Sequence, residues 1–116
     1  MSTIGQGYAV RQYVRNDGRC PFREWISALA TPVRARISAR VDRFQAGNLG
    51  DAKSVGGGVH EARLMFGPGY RVYFGIHRRQ VVLLLCGGDK ATQHRDIEKA
   101  KTYWQDYLEV EGHEQT

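Results

Sequence analysis

The sequence is poor in the residues that build disulfide frameworks, metal centres and membrane spans. It has only two cysteines, Cys20 and Cys86, and four histidines that lack the spacing of metal ligands, so we expect no metal and no cofactor. The longest apolar run, 81–86, is far shorter than the roughly 20 residues of a membrane-spanning helix. The first residues contain no basic segment followed by an apolar stretch, and we therefore expect a cytoplasmic protein without a secretory signal.

Acidic residues are scarce over most of the chain. Residues 1–95 carry fifteen basic and six acidic side chains, a net charge of +9, whereas residues 96–116 carry two basic and six acidic, a net charge of −4. Thirteen of the seventeen basic residues are arginine, whose planar guanidinium group suits phosphate and carboxylate. This distribution is typical of a protein that binds a polyanion or an acidic partner, and equally of a surface whose charge only maintains solubility.

The length and the periodicity of the first half predict one domain that begins with a strand and two helices. A chain of 116 residues suits a single domain, 1–116, with an ordered core over about 8–108. The segment 8–15 has the composition of a first strand. Apolar residues recur at helical spacing after Pro21 and again after Thr31-Pro32, which predicts two consecutive helices.

The second half predicts three strands and a final helix. The glycine-rich stretch 47–58 is expected to be a loop. Apolar and other residues alternate over 59–66 and 70–77, and the continuous apolar run 81–86 predicts a strand that is buried on both faces. A helix follows from about 92 to 108. The order β-α-α-β-β-β-α predicts an α+β fold: a small antiparallel sheet, two N-terminal helices packed on one face, and a C-terminal helix.

The predicted hairpin brings several polar side chains to one face of the sheet. A three-residue loop, 67–69, pairs Leu64 with Val72 and turns the even-numbered residues toward the helices. The odd-numbered side chains then occupy an open face. This face collects Glu61, Arg63, Arg71, Tyr73 and His77, with Lys90 joining from the loop after the third of these strands.

Such a face has the chemistry to cut RNA. Its cations can hold a phosphodiester, and Tyr73 offers a ring on which a base stacks. Glu61 or His77 can take a proton from a ribose 2′-hydroxyl, and no metal is needed because the 2′-oxygen is an internal nucleophile. The other interpretation is an ordinary polar sheet face on which Glu61 forms ion pairs with Arg63 and Arg71.

The second predicted helix carries four arginines outside its apolar stripe: Arg34, Arg36, Arg40 and Arg43. Arg40 and Arg43 are candidates for contacts with nucleic acid. A solvated helix surface explains the same pattern, and an acidic protein partner is a further interpretation.

Four stretches of the chain together resemble one protein family. They are 57–64 (Gly-Gly-Val-His-Glu-Ala-Arg-Leu), 67–74 (Gly-Pro-Gly-Tyr-Arg-Val-Tyr-Phe), 82–93 (Val-Leu-Leu-Leu-Cys-Gly-Gly-Asp-Lys-Ala-Thr-Gln) and 96–100 (Asp-Ile-Glu-Lys-Ala). In this order they are similar to the RelE/ParE toxin superfamily, within it to the addiction-module killer proteins, a HigB-like group related to a phage protein. The resemblance extends from about Tyr8 to Leu108.

The resemblance implies the toxin of a bacterial type II toxin–antitoxin pair with a RelE-like fold. Its partner would be a helix-turn-helix antitoxin that forms a complex with it. RelE-like and HigB-like members are mRNA endoribonucleases (mRNA interferases) that cut mRNA, usually on the ribosome and without metal. The basic residues that the resemblance carries over are Arg63, Arg71 and Lys90, with Tyr73 beside them.

Two departures keep other activities open. RelE uses a tyrosine close to its C-terminus, whereas this chain has a long acidic helix with Tyr103 and Tyr107, so the general acid and base stay unassigned. The ParE branch shares the fold but poisons DNA gyrase and is not a nuclease. The alternatives are therefore a ParE-like toxin without enzymatic activity, and a degenerate toxin that only binds its antitoxin.

Overall fold

The computed structural model describes residues 7–114 and has an α+β architecture, which confirms the predicted fold class. The elements in this range are β1 (Ala9–Gln12), α1 (Pro21–Ser27), α2 (Thr31–Asp42), β2 (Ala52–Gly56), β3 (Val59–Leu64), β4 (Tyr70–His77), β5 (Val81–Gly88) and α3 (Gln93–Glu114). Short 3₁₀ turns follow α2 at Arg43–Ala46 and precede α3 at Lys90–Thr92. Over the same residues, none of the helices is long and apolar enough to cross a membrane.

The strands form a mixed sheet in the order β1-β5-β4-β3-β2. All neighbouring pairs are antiparallel except β1 and β5, which run parallel with Ala9 opposite Val81. The sheet is therefore mostly antiparallel, as predicted, with a parallel edge that the sequence pattern did not indicate. β5 lies inside the sheet, and its residues Val82–Leu85 are buried on both faces.

The expectation that 47–58 is entirely a loop is wrong, because β2 lies within it. β2 is an edge strand that pairs with β3, with Ala52 opposite Ala62 and Lys53 opposite Glu61. Its side chains are largely exposed, so it lacks the apolar alternation that marks a half-buried strand. β2 is held in the sheet by its hydrogen bonds to β3, and its own composition does not indicate a strand.

The predicted register of the β3–β4 hairpin is also wrong, by two residues. Leu64 pairs with Tyr70 and Ala62 with Val72, so the turn covers 65–69 rather than 67–69. Phe66 lies in the turn beyond the end of β3, and its ring packs against Tyr70 with 5.2 Å between ring centroids. A shift of two residues keeps every side chain on its predicted face, because side chains alternate with a period of two.

The two faces of the sheet carry separate cores, and the face predicted to be open is covered. Even-numbered strand residues pack with Ile37 and Phe44 from the α2 region. Odd-numbered residues such as Tyr73 pack with Ala100 and Trp104 of α3. Since α1 and α2 already occupy the first face, the apolar stripe of α3 is buried against the second. The prediction of an open odd-numbered face is therefore wrong over the part that α3 covers.

Candidate active site

A buried polar network lies where β3, β4 and the start of α3 meet. The Oε2 atom of Glu61 accepts hydrogen bonds from the Tyr73 hydroxyl at 3.0 Å and from Gln93 Nε2 at 2.8 Å. The same oxygen lies 3.5 Å from Arg71 Nε in an ion pair. Glu61 Oε1 and Arg71 Nε are buried and have no hydrogen-bond partner within residues 7–114. The network is thus tied to three elements and retains unused hydrogen-bonding capacity.

Strand pairing explains why these groups meet. Glu61 is directly opposite Tyr73, and Arg63 is directly opposite Arg71, on the same face of the β3–β4 pair. Side chains directly opposite each other in an antiparallel pair have Cβ atoms about 5 Å apart. Two neighbouring guanidinium groups repel, but each has its own carboxylate: Arg71 pairs with Glu61 and Arg63 with Asp51.

Arg71 and Lys90 border the same loop at the end of the sheet. Arg71 Nη1 donates to the carbonyl oxygen of Gly69 at 2.7 Å, and the backbone N–H of Lys90 donates to Pro68 O at 3.4 Å. Gly69 has a φ of +81°, and a Cβ there would lie 3.2 Å from Arg71 Nη1 and 3.5 Å from Lys90 Cβ. The glycine therefore permits both the left-handed turn and the close approach of the two cationic residues. The Lys90 side chain is exposed, whereas that of Arg71 is 11% exposed.

Arg63 is held at the edge of the same region. Its Nη2 lies 3.2 Å from Asp51 Oδ2, and its backbone N–H donates to Asp51 O at 3.0 Å. The side chain is 39% exposed. Arg63 thus lies beside Arg71 but is already paired with an acidic residue.

Tyr73 and Glu61 do not present their side chains to solvent. Both are fully buried, so Tyr73 offers no free ring to a base and Glu61 does not contact a ligand at the surface. Burial, together with the neighbouring Glu61 carboxylate, raises the pKa of Tyr73 well above its usual value. The tyrosine therefore stays protonated and donates its hydrogen bond to Glu61. The predicted placement of these two residues on an open face is wrong, and their contacts are with each other, Arg71 and Gln93.

His77 lies apart from this group. It is the last residue of β4, six positions from Arg71, which is about 20 Å along a strand. Its Nδ1 is 3.2 Å from the Tyr107 hydroxyl. The predicted grouping of His77 with the cations is therefore wrong. In residues 7–114, His, Cys, Asp and Glu side chains form no group of three that could hold a metal ion.

Arg40 and Arg43 lie on the helical side of the sheet. Arg40 Nη1 donates to Arg63 O at 2.6 Å, and its Nη2 donates to Leu49 O at 3.1 Å and Asp51 O at 2.9 Å. Burial lowers the pKa of Arg40. Arg40 thus fastens the segment before β2 to β3. Arg43 is exposed and borders a groove of about 260 Å³.

A cleft that the sequence reasoning missed lies between α1 and α3, beside the end of β5. Its volume is about 510 Å³. Its walls include Arg15, Arg19, Trp25, Arg95, Lys99 and Tyr103. The sequence did contain one signal for this cleft. Arg95, Lys99 and Tyr103 are spaced by four residues, and residues at this spacing share one face of a helix.

Cys86 forms part of the floor of this cleft. It is buried, and burial raises the pKa of its thiol to about 12. The sulfur lies 3.7 Å from Asp96 O, to which the thiol donates. Cys86 is therefore a protonated structural thiol, which agrees with the sequence interpretation of a buried residue on a strand.

Comparison with known proteins gives a relative without an assigned activity. No protein-family model matches the chain. An uncharacterized protein of Haemophilus influenzae (strain ATCC 51907 / DSM 11121 / KW20 / Rd) is 49% identical over 81 residues, which cover 69% of this chain and 82% of that protein. The chain belongs to the same family as this uncharacterized Haemophilus influenzae protein.

Proposed function

We propose that the protein is the toxin of a type II toxin–antitoxin pair and acts as a metal-independent mRNA endoribonuclease that inhibits translation. The observation that carries the proposal is that Arg71 and exposed Lys90 both contact the loop at the end of the β3–β4 hairpin, Arg71 at Gly69 and Lys90 at Pro68. The order of elements and the four sequence stretches that resemble the RelE/ParE superfamily support it. The 49% identical relative is uncharacterized and adds no activity.

The two cations suit a phosphodiester whose charge increases during the reaction. The ribose 2′-oxygen attacks the adjacent phosphorus, the bond to the 5′-oxygen breaks, and the products are a 2′,3′-cyclic phosphate and a free 5′-hydroxyl. The 2′-hydroxyl loses a proton and the leaving oxygen gains one. Arg71 and Lys90 stabilise the additional negative charge of the transition state, an effect that is large in a partly desolvated site.

Glu61 acts on this chemistry through Arg71. Its carboxylate lies 3.5 Å from Arg71 Nε, and Gly69 O holds the Nη1 atom, so the guanidinium group is fixed before RNA binds. Preorganised donors need little rearrangement during the reaction. Glu61 and Tyr73 are therefore positioning residues in this proposal, and proton transfer is left to groups that reach the RNA.

The direct test uses Lys90, because its side chain is exposed and its loss does not disturb a core. Purified wild-type protein is expected to cut mRNA in a translation extract to which no metal is added beyond what the ribosomes require. Lys90→Ala should slow the cut about 100-fold, the scale seen when one transition-state donor is removed. Lys53→Ala, at an exposed lysine on β2, is the matched control and should cut at the wild-type rate. Equal rates for the Lys90 variant and wild type would contradict the proposal.

Induction of the protein alone in cells separates the remaining functions. Mapping of mRNA 5′ ends is expected to show new cuts after induction. Accumulated DNA breaks with intact mRNA would instead indicate a toxin that acts on a protein such as DNA gyrase. Normal growth would indicate a degenerate toxin that only binds its antitoxin. The proposed partner, a helix-turn-helix antitoxin, should be encoded by a short reading frame next to this one.

A further inference from the structure

The cleft between α1 and α3 exists because the sheet is incomplete at this edge. β1 pairs with β5 only from Val81 to Leu84, so Cys86 and Gly87 extend beyond the end of β1. α1 and α3 pack on opposite faces of the sheet and leave a gap beside these two residues. The volume of about 510 Å³ is within the usual range of small-molecule sites, about 300–1,000 Å³.

The cations around the cleft are only partly neutralised. Arg19 is paired with Glu24 through two hydrogen bonds of 3.0 Å each. Arg95 Nε lies 4.0 Å from Asp96 Oδ1, at the limit of an ion pair. Arg15 and Lys99 have no ion pair with any residue in the range 7–114. The cleft therefore has a positive balance and suits an anionic ligand.

Aromatic rings form two of its walls. Tyr103 stacks on Tyr13 with 5.2 Å between centroids, and Arg15 lies 6.0 Å from the Tyr103 centroid. The Trp25 ring lies over Gly87, where a side chain would collide with it. Both rings are thus held in place. A site with fixed rings and unpaired cations suits a planar apolar group attached to phosphate, which is the chemistry of a nucleotide.

The cleft adjoins the candidate active site through β5. Gly88 pairs with Arg71 and Gly87 pairs with Val72, so the floor of the cleft lies one strand away from Arg71. Gly88 also faces Asp96, another residue of the cleft wall. A strand of RNA whose phosphate is bound by Arg71 and Lys90 can therefore continue into the cleft.

We propose that the cleft binds a nucleotide of single-stranded RNA next to the bond that is cut, with Arg15 and Lys99 contacting phosphates and Trp25 and Tyr103 contacting the base. This inference rests on the proposed function, since it names where the same RNA strand is held. An acidic peptide is the competing ligand. The floor of the cleft lies one strand away from Arg71, and this position favours RNA.

The test measures binding of an RNA oligonucleotide with 2′-O-methyl groups, which cannot be cut because it has no 2′-hydroxyl. Fluorescence anisotropy is recorded over a range of salt concentrations. The double variant Arg15→Glu with Lys99→Glu should weaken binding at least tenfold. It should also reduce the slope of log K against log salt by about 1.4, since each phosphate contact to a single strand contributes about 0.7. Lys53→Glu, a single charge reversal on β2, should change neither quantity.

Trp25 provides a second readout. Binding should change the tryptophan fluorescence of the wild-type protein, and Trp25→Phe should remove most of this change while Trp104 still emits. A double variant that is folded by circular dichroism and binds the oligonucleotide as wild type does would overturn the inference. If the double variant lost binding to polyglutamate by the same factor as binding to the oligonucleotide, the inference would be overturned in favour of an acidic protein ligand.

The outcomes separate this inference from the proposed function. If the wild-type protein cuts mRNA and the double variant binds the oligonucleotide as wild type does, only the assignment of the cleft as an RNA site is rejected. If oligonucleotide binding depends on Arg15 and Lys99 but the wild-type protein does not cut mRNA, the proposed nuclease activity is rejected. The cleft then remains an RNA-binding site.

Discussion

Gln93, the first residue of α3, donates from Nε2 to Glu61 Oε2 at 2.8 Å. The bond connects the last helix to a fully buried carboxylate in β3. Tyr73 donates to the same oxygen from β4. Because a buried charge is stable only with partners, the start of α3 and the centre of the sheet hold each other in position.

Glu61→Gln should be strongly destabilising. The substitution keeps the shape of the side chain but leaves the Arg71 guanidinium, of which 11% is exposed, without its counter-charge. Loss of one member of a buried pair costs about 3 kcal/mol in the free energy of unfolding. Urea unfolding measures this change. Glu24→Gln, which breaks the exposed pair with Arg19, is the control and should have no measurable effect. Similar results for the two variants would contradict the buried network.

Gly75→Ala should also be destabilising, for a steric reason. A Cβ at this position would collide with the Trp104 ring of α3. Overpacking of a core costs about 1–3 kcal/mol in the free energy of unfolding. Gly112→Ala is the matched control, because a Cβ there meets nothing within 4 Å. Since Gly112 lies within α3, its substitution should stabilise the protein by about 0.5–1 kcal/mol. Thermal unfolding distinguishes the two directions.

Cys86 should make stability depend on pH in the alkaline range. Burial raises the pKa of its thiol from 9.0 to about 12 in the folded state. Below pH 9 the thiol is protonated in both states and its full contribution is present. Above pH 9 the unfolded chain loses the proton first, so stability falls as the pH rises toward 12. At pH 10 the loss is about 1.4 kcal/mol.

The measurement for Cys86 is the difference in unfolding free energy between pH 7 and pH 10. Cys86→Ala should show a smaller difference than wild type, because it lacks the titrating thiol while the tyrosines are unchanged. An identical difference in the two proteins would show that the thiol ionises in the folded state as easily as in the unfolded state.

Arg40→Lys should loosen the segment before β2. The guanidinium group donates to three backbone oxygens, those of Leu49, Asp51 and Arg63, and an ammonium group cannot span the same geometry. We expect a loss of about 1–2 kcal/mol in the free energy of unfolding and faster amide exchange around Asp51. Arg43→Lys, at an exposed arginine, should leave both unchanged. Unaltered exchange in the Arg40 variant would remove this structural role.

The sequence predicted the elements better than their arrangement. Pro21 and Thr31-Pro32 correctly predicted the starts of two helices, and the apolar run at Val82–Leu85 correctly predicted a buried strand. These signals depend only on neighbouring residues in the sequence. The exposed strand β2 had no apolar pattern to reveal it. The hairpin register was shifted by two residues because both registers place Ala62 and Val72 on the same face.

The candidate site was predictable only in part. Arg63 and Arg71 were expected on one face of neighbouring strands, and they are directly opposite each other. The burial of Glu61 and Tyr73 was missed because periodicity shows which residues of α3 point inward but not which face of the sheet they cover. The cleft was missed because its residues come from three separate segments.

The parallel pairing of Ala9 with Val81 places the beginning of the chain beside one of its last strands. During synthesis β1 leaves the ribosome long before β5 exists, so the two hairpin strands β3 and β4 can associate while the first strand is still single. Contacts between distant parts of a chain slow folding, because the loop between them must close before they form. Completion of the sheet edge is therefore a late event, and the cleft beside Cys86 acquires its final walls only when that edge has formed.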